Sequence, residues 1–288
     1  MLPSLPQSNF LRAAYRGYIA LFFIYLAAPL IFAAMFAFND SLFPAFPWKG
    51  FTFDWFFNGT EPKLGMFHDP NIMRGIGNSL LVACFVTTLS LIVGTSTAFL
   101  FERHEFRFKE LCYMLMLAPL VIPGVILGIS ILVLSSTVAN FVDDSFGMEL
   151  DALRPGLVLV VLGQFSFTTT IATLVIAARL RRFDISLEEA ALNLGGSTAD
   201  VIRTITLPYL RPALIGSGLV VFLISFENFN TTLMLVGSDP PLTITMYDRM
   251  KEGSTPVLNA VSLFLMLGSG ALGLISILAQ RDRGAASR

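Results

Sequence analysis

Residues Glu188–Pro212 read EEAALNLGGSTADVIRTITLPYLRP. The stretch carries Glu188, Glu189, Asp200, Arg203 and Arg211, a Gly pair and two prolines. Apolar runs flank it on both sides, roughly 156–178 and 213–236. A helix needs about 20 mostly apolar residues to cross a bilayer, and each run is long enough. A charged segment between two such runs is a connection between membrane spans, so the chain is expected to be a polytopic membrane protein.

Working outward, four more runs of spanning length occur, near 17–38, 77–101, 111–134 and 257–279. Composition agrees with six spans. Of 288 residues, 55% are hydrophobic and only 14% charged, against about 25% charged in soluble domains. That is too little charge to clothe a soluble globule of this size. The expected class is therefore all-α, with six transmembrane helices in a single domain over 1–288. The first run follows Arg12 and Arg16, as a signal peptide would, yet its apolar length exceeds the 7–15 residues of such a region. Phe36, Phe38 and Asn39 stand where small residues should precede a cleavage site, so it is expected to remain as a span.

Lys and Arg set the orientation. Thirteen of the 19 lie before span one, in the loops after spans two and four, or after span six. Both termini and the Glu188–Pro212 segment are expected to be cytoplasmic. On the opposite side the loop 39–74 holds Trp48, Trp55 and several Phe, as an interfacial helix or lid would. A net charge of −1 gives no sign of a nucleic-acid partner. Cys84 and Cys112 lie in apolar runs and are expected as small buried hydrophobes.

Within the opening stretch the local code is helix, break, helix. Ser186-Leu-Glu-Glu189 fits a capping box. Gly195-Gly196 supplies a left-handed stop, and Ser197 with Asp200 restarts a helix. Val201, Ile202 and Ile205 form an apolar stripe, and Leu207-Pro208 is expected to end the second helix. So short a helix pair needs a surface to dock on; a plain surface connection is the alternative.

Glu227, in LISFENFNTTLMLVG, is the one Asp or Glu inside any expected span. A carboxylate at that depth costs about 2.5–3.5 kcal/mol on insertion scales and faces a cavity or a partner. On a continuous helix Asn230, Thr231 and Met234 share its face, with Asn228 and Thr232 beside it. Two readings are open: a solute path, or hydrogen bonding between helices. In span four Gln164 and Thr168 are four apart, with the same two readings. Pro119 and Pro123 are expected to kink span three.

The spacing Glu189-Ala190-Ala191, three residues, Gly195, nine residues, Ile205, one residue, Leu207-Pro208 resembles the signature of bacterial ABC-importer permeases. The likeness extends over nearly the whole chain. Asn78-Ser79-Leu80, APLVIPGVILGI and SDPPLTITMYDRMKEGSTPVLNA resemble the second permease of spermidine/putrescine importers. The resemblance implies the type I importer permease fold in a bacterial inner membrane. It implies that residues 184–208 form the coupling loop that an ATPase subunit grips, with Glu188, Glu189, Ala190, Ala191, Gly195, Ile205, Leu207 and Pro208 at the contact. Implied partners are a second, homologous but different permease, two ATPase subunits that bind ATP and Mg2+, an external solute-binding protein and the lipid bilayer.

The chain itself carries no G-x-x-x-x-G-K-[ST], no H-E-x-x-H and no nucleophile elbow, so neither a bound cofactor or metal nor enzymatic activity is expected of it. The implied solute is a polyamine, drawn along Glu227, Asn228, Asn230, Thr231, Gln164 and Thr168. Where the polyamine branch often has acidic residues, this chain has a single carboxylate in Glu227-Asn228. Amino-acid-like compounds, other organic cations, phosphonates and ferric iron stay open. A stand-alone secondary carrier is the rival class; it would need its own coupling charges or inverted repeats.

Overall fold

In a computed structural model the structure describes residues 9–253 and 255–284. Ser254, of the loop before span six, and Arg288, of the basic C-terminal cluster, lie outside them. The described residues form helices and one isolated antiparallel bridge, Asn39 to Phe51. Six helices are long and apolar enough to cross a membrane, in line with the six runs. Two compact units emerge, one within 9–70 and 249–268, the other within 71–248 and beyond 268.

The first unit begins with α1 (Asn9–Phe36), which contains Pro29 and buries none of its residues within the chain. A largely apolar helix with no residue buried within the chain is what a lipid-facing span looks like. The loop after it is ordered by polar contacts. Trp55, on the one-turn helix α2 (Asp54–Phe57), is buried and donates its indole N–H to the Asn39 carbonyl at 2.8 Å. Lys63 pairs with Asp40, and lies 3.5 Å from Asp54. Its hydrogen bond to Asp40 raises the ammonium pKa. Phe38 stacks on Phe51 at 5.0 Å. The aromatic loop thus holds a one-turn helix and is ordered by its own polar and ring contacts. Asp69, 1% exposed, pairs with Arg249, so its charge is neutralised where water is excluded.

The second unit contains most of α3 (Pro70–Arg103). Val82, Val86, Ser90, Gly94, Ala98 and Phe101 form its buried stripe at helical spacing. Span three is not one helix. It divides into α4 (Lys109–Val121) and α5 (Gly124–Phe146) at Ile122, whose extended backbone is what a residue before proline prefers. Pro119 stays inside α4 while Pro123 opens α5, so the second proline breaks the span rather than kinking it. A 3-10 turn at Asp151–Leu153 leads into α6 (Leu157–Leu180), the most buried of the candidate spans.

Small residues let α3 and α6 approach closely: a Cβ on Gly94 would lie 2.9 Å from the Ala172 Cβ. The Ser90 and Thr168 hydroxyls pair across the same contact at 2.9 Å.

Then follow α7 (Ser186–Asn193), α8 (Thr198–Val201), a π-helical turn at Ile202–Thr206 and α9 (Leu207–Phe226). The expected fifth span is also divided: α9 stops at Phe226 and α10 (Asn230–Leu235) begins after a gap of three residues. The helices α11 (Leu242–Glu252) and α12 (Pro256–Gly284) complete the chain. Cys84 and Cys112, expected inside, sit on exposed faces of α3 and α4. Apolar neighbours in sequence place a residue in a membrane span but not on its inner face.

Candidate functional site

The segment 184–208 is built by local hydrogen bonds. Asp184, not Ser186, opens α7: its carboxylate accepts the Ser186 N–H at 3.0 Å. The expected Ser186–Glu189 capping box is not formed, because Ser186 is already inside the helix. The stop and restart are as expected. Gly195 has φ +90°, the left-handed region, and the Gly196 N–H reaches back to the Ala191 carbonyl at 3.1 Å. The Ser197 hydroxyl then accepts the Asp200 N–H at 3.2 Å and donates to the Asp200 carboxylate at 2.6 Å.

Leu207-Pro208 does not end the second helix. The chain stays helical through it into α9, and Leu207 keeps α-helical backbone angles. The π turn is the reason. Proline removes one N–H and crowds the carbonyl four residues back. Widening the preceding turn, so that the Leu207 N–H bonds to the Ile202 carbonyl five residues back, makes room for the ring. Val201 and Thr206 are buried and Ile205 packs against the core.

The two adjacent carboxylates face different surroundings. Glu189 and Ala190 are exposed and Ala191 is half-buried. The Glu188 side chain is only 19% exposed; it accepts hydrogen bonds from Thr206 at 2.6 Å and Arg103 at 3.2 Å. Neither contact was legible in the sequence, since Arg103 lies 85 residues away. Nearby, Arg181 donates to Glu102 at 2.8 Å, which raises the guanidinium pKa. That pair lies on an open cleft of about 750 Å³ with Phe101, Glu105, Lys109 and Tyr113.

The second cluster is the break in the fifth span. Glu227 lies just past α9 and is exposed; among the described residues its carboxylate has no partner. Asn228 restarts the chain: its side-chain oxygen accepts the Thr232 N–H at 3.2 Å and the Thr232 hydroxyl at 3.0 Å. This interruption overturns the expectation of one continuous polar face. Asn230 is exposed, whereas Thr231 is 1% exposed and donates to the Gly124 carbonyl at 3.3 Å.

Gln164 and Thr168 are not on an open path but sealed inside this chain, at 1% and 0% exposure. Gln164 donates to Thr232 at 2.9 Å and accepts from Ser225. Thr168 donates to the Gln164 carbonyl at 2.8 Å and meets Ser90. Of the two readings, hydrogen bonding between helices fits both residues. The breaks in spans three and five come together around a cavity of about 170 Å³ lined by Pro119, Ile122, Gly124, Phe167, Asn228 and Asn230. Helix breaks that meet around a cavity supply unpaired backbone groups and side-chain amides to a polar solute.

The chain resembles known proteins along most of its length. It is 29% identical to the putrescine transport system permease protein PotI of Escherichia coli strain K12, over 89% of this chain and 86% of that one. It is 28% identical to the spermidine/putrescine transport system permease protein PotC of Haemophilus influenzae, over 94% and 97%. Among solved structures, a bacterial ABC transporter involved in import of the acidic polysaccharide alginate has the same fold. It superposes with a TM-score of 0.73 at 18% identity, over 97% of this chain and 96% of that one. The family described as binding-protein-dependent transport system inner membrane component matches residues 88–281. With two thirds of its length matched and six helices of spanning length, the chain belongs to the binding-protein-dependent transport inner membrane components, the permease subunits of ABC importers.

Proposed function

We propose that the chain is one half of the membrane domain of an ATP-driven polyamine importer in a bacterial inner membrane. Residues 1–288 form its single permease domain, and a similar but different permease forms the other half. Two ATPase subunits bind ATP and Mg2+ and dock on the coupling loop, residues 184–208. An external solute-binding protein delivers a putrescine- or spermidine-like cation. Both termini face the cytoplasm, as the Lys and Arg distribution favours.

One observation carries the solute reading: Glu227 is exposed and, among the described residues, without a partner, and it adjoins Asn228, which lines the small cavity at the helix breaks. Such a charge in a spanning segment is costly unless it meets water or a cation. An ammonium group supplies that partner, and the two named relatives act on polyamines. Asn228 and Asn230 add amide groups at the same break, while Gln164, Thr168 and Thr231 hold the helices behind it.

Transport is alternating access. The ATPases close, the coupling loops of the two permeases draw together, and the break region opens to one side and then the other. Glu189 and Ala190 are among the exposed residues of the loop. A purified complex carrying Glu189→Lys should lose its ATPase subunits on size-exclusion chromatography while the permease pair stays intact. Full retention of the ATPases would count against docking at this loop.

A further inference from the structure

Helix α7 has no buried residue. A helix of eight residues without an apolar anchor needs another attachment to pass a displacement on to the membrane helices. Glu188 is that attachment. Its Oε1 accepts from Thr206, in the π turn that runs into α9, and from Arg103, the last residue of α3. Thr206 is 0% exposed, and the Arg103 and Glu188 side chains are 16% and 19% exposed, so the cluster is largely shielded from water.

The platform behind Glu188 is assembled without it. The Arg103 guanidinium lies 5.6 Å from the centre of the Phe183 ring, and Phe183 is 6% exposed. Phe183 meets Tyr209 of α9 edge-on at 4.9 Å. Tyr209 in turn carries the Arg179 guanidinium of α6 at 4.2 Å. Ends of α3, α6 and α9 are thereby locked together through stacked cations and rings. The carboxylate of Glu188 plugs α7 into that lock.

We infer that Glu188, Arg103 and Thr206 form an internal latch that delivers the movement of α7 to α3 and α9, while the adjacent Glu189 serves the ATPase contact. The three are positioning residues, acting through α3 and α9. The inference rests on residues 184–208 being the coupling loop. Its geometry explains why two neighbouring carboxylates stand in the same motif. One is turned outward to a partner and the other inward to the chain's own helices. It also gives the π turn a role, since that turn sets Thr206 facing Glu188 and joins it without interruption to α9.

The test uses the full importer, both permeases with their ATPase subunits, in lipid nanodiscs. Cys84 and Cys112 are replaced by Ser, and Asn230→Cys, just beyond the α9 break, reports movement by its rate of labelling with a maleimide. ATP alone is the stimulus, so no solute need be known. In the parent, ATP should change the labelling rate by about fivefold or more, within the range of ordinary coupling between sites. Arg103→Ala and Thr206→Val should keep their ATPase subunits, yet show a response under about twofold. Arg103→Lys and Thr206→Ser should respond like the parent. The exchange of Glu188→Arg with Arg103→Glu should restore the response lost in Arg103→Ala.

Three results would overturn the latch. One is a full ATP response in Arg103→Ala and Thr206→Val. Another is no response in the parent. The third is loss of the ATPases from Arg103→Ala that the charge exchange does not repair, which would mark a merely structural pair. Failure of the underlying reading looks different: Glu189→Lys would then retain its ATPases, whereas failure of the latch alone leaves Glu189→Lys unable to hold them.

Discussion

At the scale of single residues, Gln164 shows how a polar side chain holds apolar helices together. Interhelical hydrogen bonds in membrane proteins average about 0.6 kcal/mol, so its bonds to Thr232 and Ser225 contribute about 1 kcal/mol. Emptying its buried volume costs more, because truncating a large buried side chain to Ala removes about 2–5 kcal/mol. Volume is therefore expected to win: Gln164→Ala should lower the thermal unfolding midpoint in detergent clearly more than Gln164→Leu. Equal losses would put the hydrogen bonds first.

Gly195 offers a second residue-scale prediction. A Cβ there meets nothing within 4 Å, so Gly195→Ala suffers only the left-handed strain of about 1–2 kcal/mol. Gly195→Pro cannot adopt φ +90° at all, since its ring locks φ near −65°. Copurification of the ATPases should survive Ala and fail with Pro.

At the scale of elements, the six apolar runs were legible because lipid demands length and composition, and both are written locally. The breaks were legible only in part. Pro123 announced a disturbance in span three. LISFENFNTTLMLVG was read as one polar helix face, and nothing in that reading announced that α9 would stop at Phe226 and α10 pack against α5. That contact needs glycine. A Cβ on Gly128 would lie 2.9 Å from the Met234 Cβ and 3.2 Å from the Thr231 carbonyl oxygen. Gly128→Leu should push α10 off α5 and cut uptake at least tenfold (about 1.4 kcal/mol or more). Its ATPase subunits should still copurify, because α7 and α8 are untouched. Uptake within twofold of the parent would deny the break region a part in transport. Pro208 taught the reverse lesson. Proline read as a stop, and the fold absorbed it with a π turn instead, so α8 and α9 are mechanically one piece.

At the scale of the whole molecule, the Lys and Arg distribution favours cytoplasmic termini, and the proposed choice of solute rests on one carboxylate, Glu227. A fluorescent-protein fusion at the C-terminus should glow, and an alkaline phosphatase fusion there should be inactive, if that end is cytoplasmic; the opposite pattern would invert the orientation. The family motif in 188–208 was readable because its residues stand at fixed spacing within one short stretch of chain. The solute was not, because the breaks that line the cavity lie far apart in the sequence; for Gln164 and Thr168 the sequence left a path and hydrogen bonding between helices both open, and their burial favours the second. The most direct measurement is uptake of labelled putrescine and spermidine by cells that lack other polyamine importers and express this chain with its partner subunits, with Glu227 intact or changed to Gln. The account predicts ATP-dependent uptake that falls at least tenfold in Glu227→Gln while the complex still assembles. No uptake of either polyamine by the intact complex, or uptake indifferent to Glu227, would contradict it.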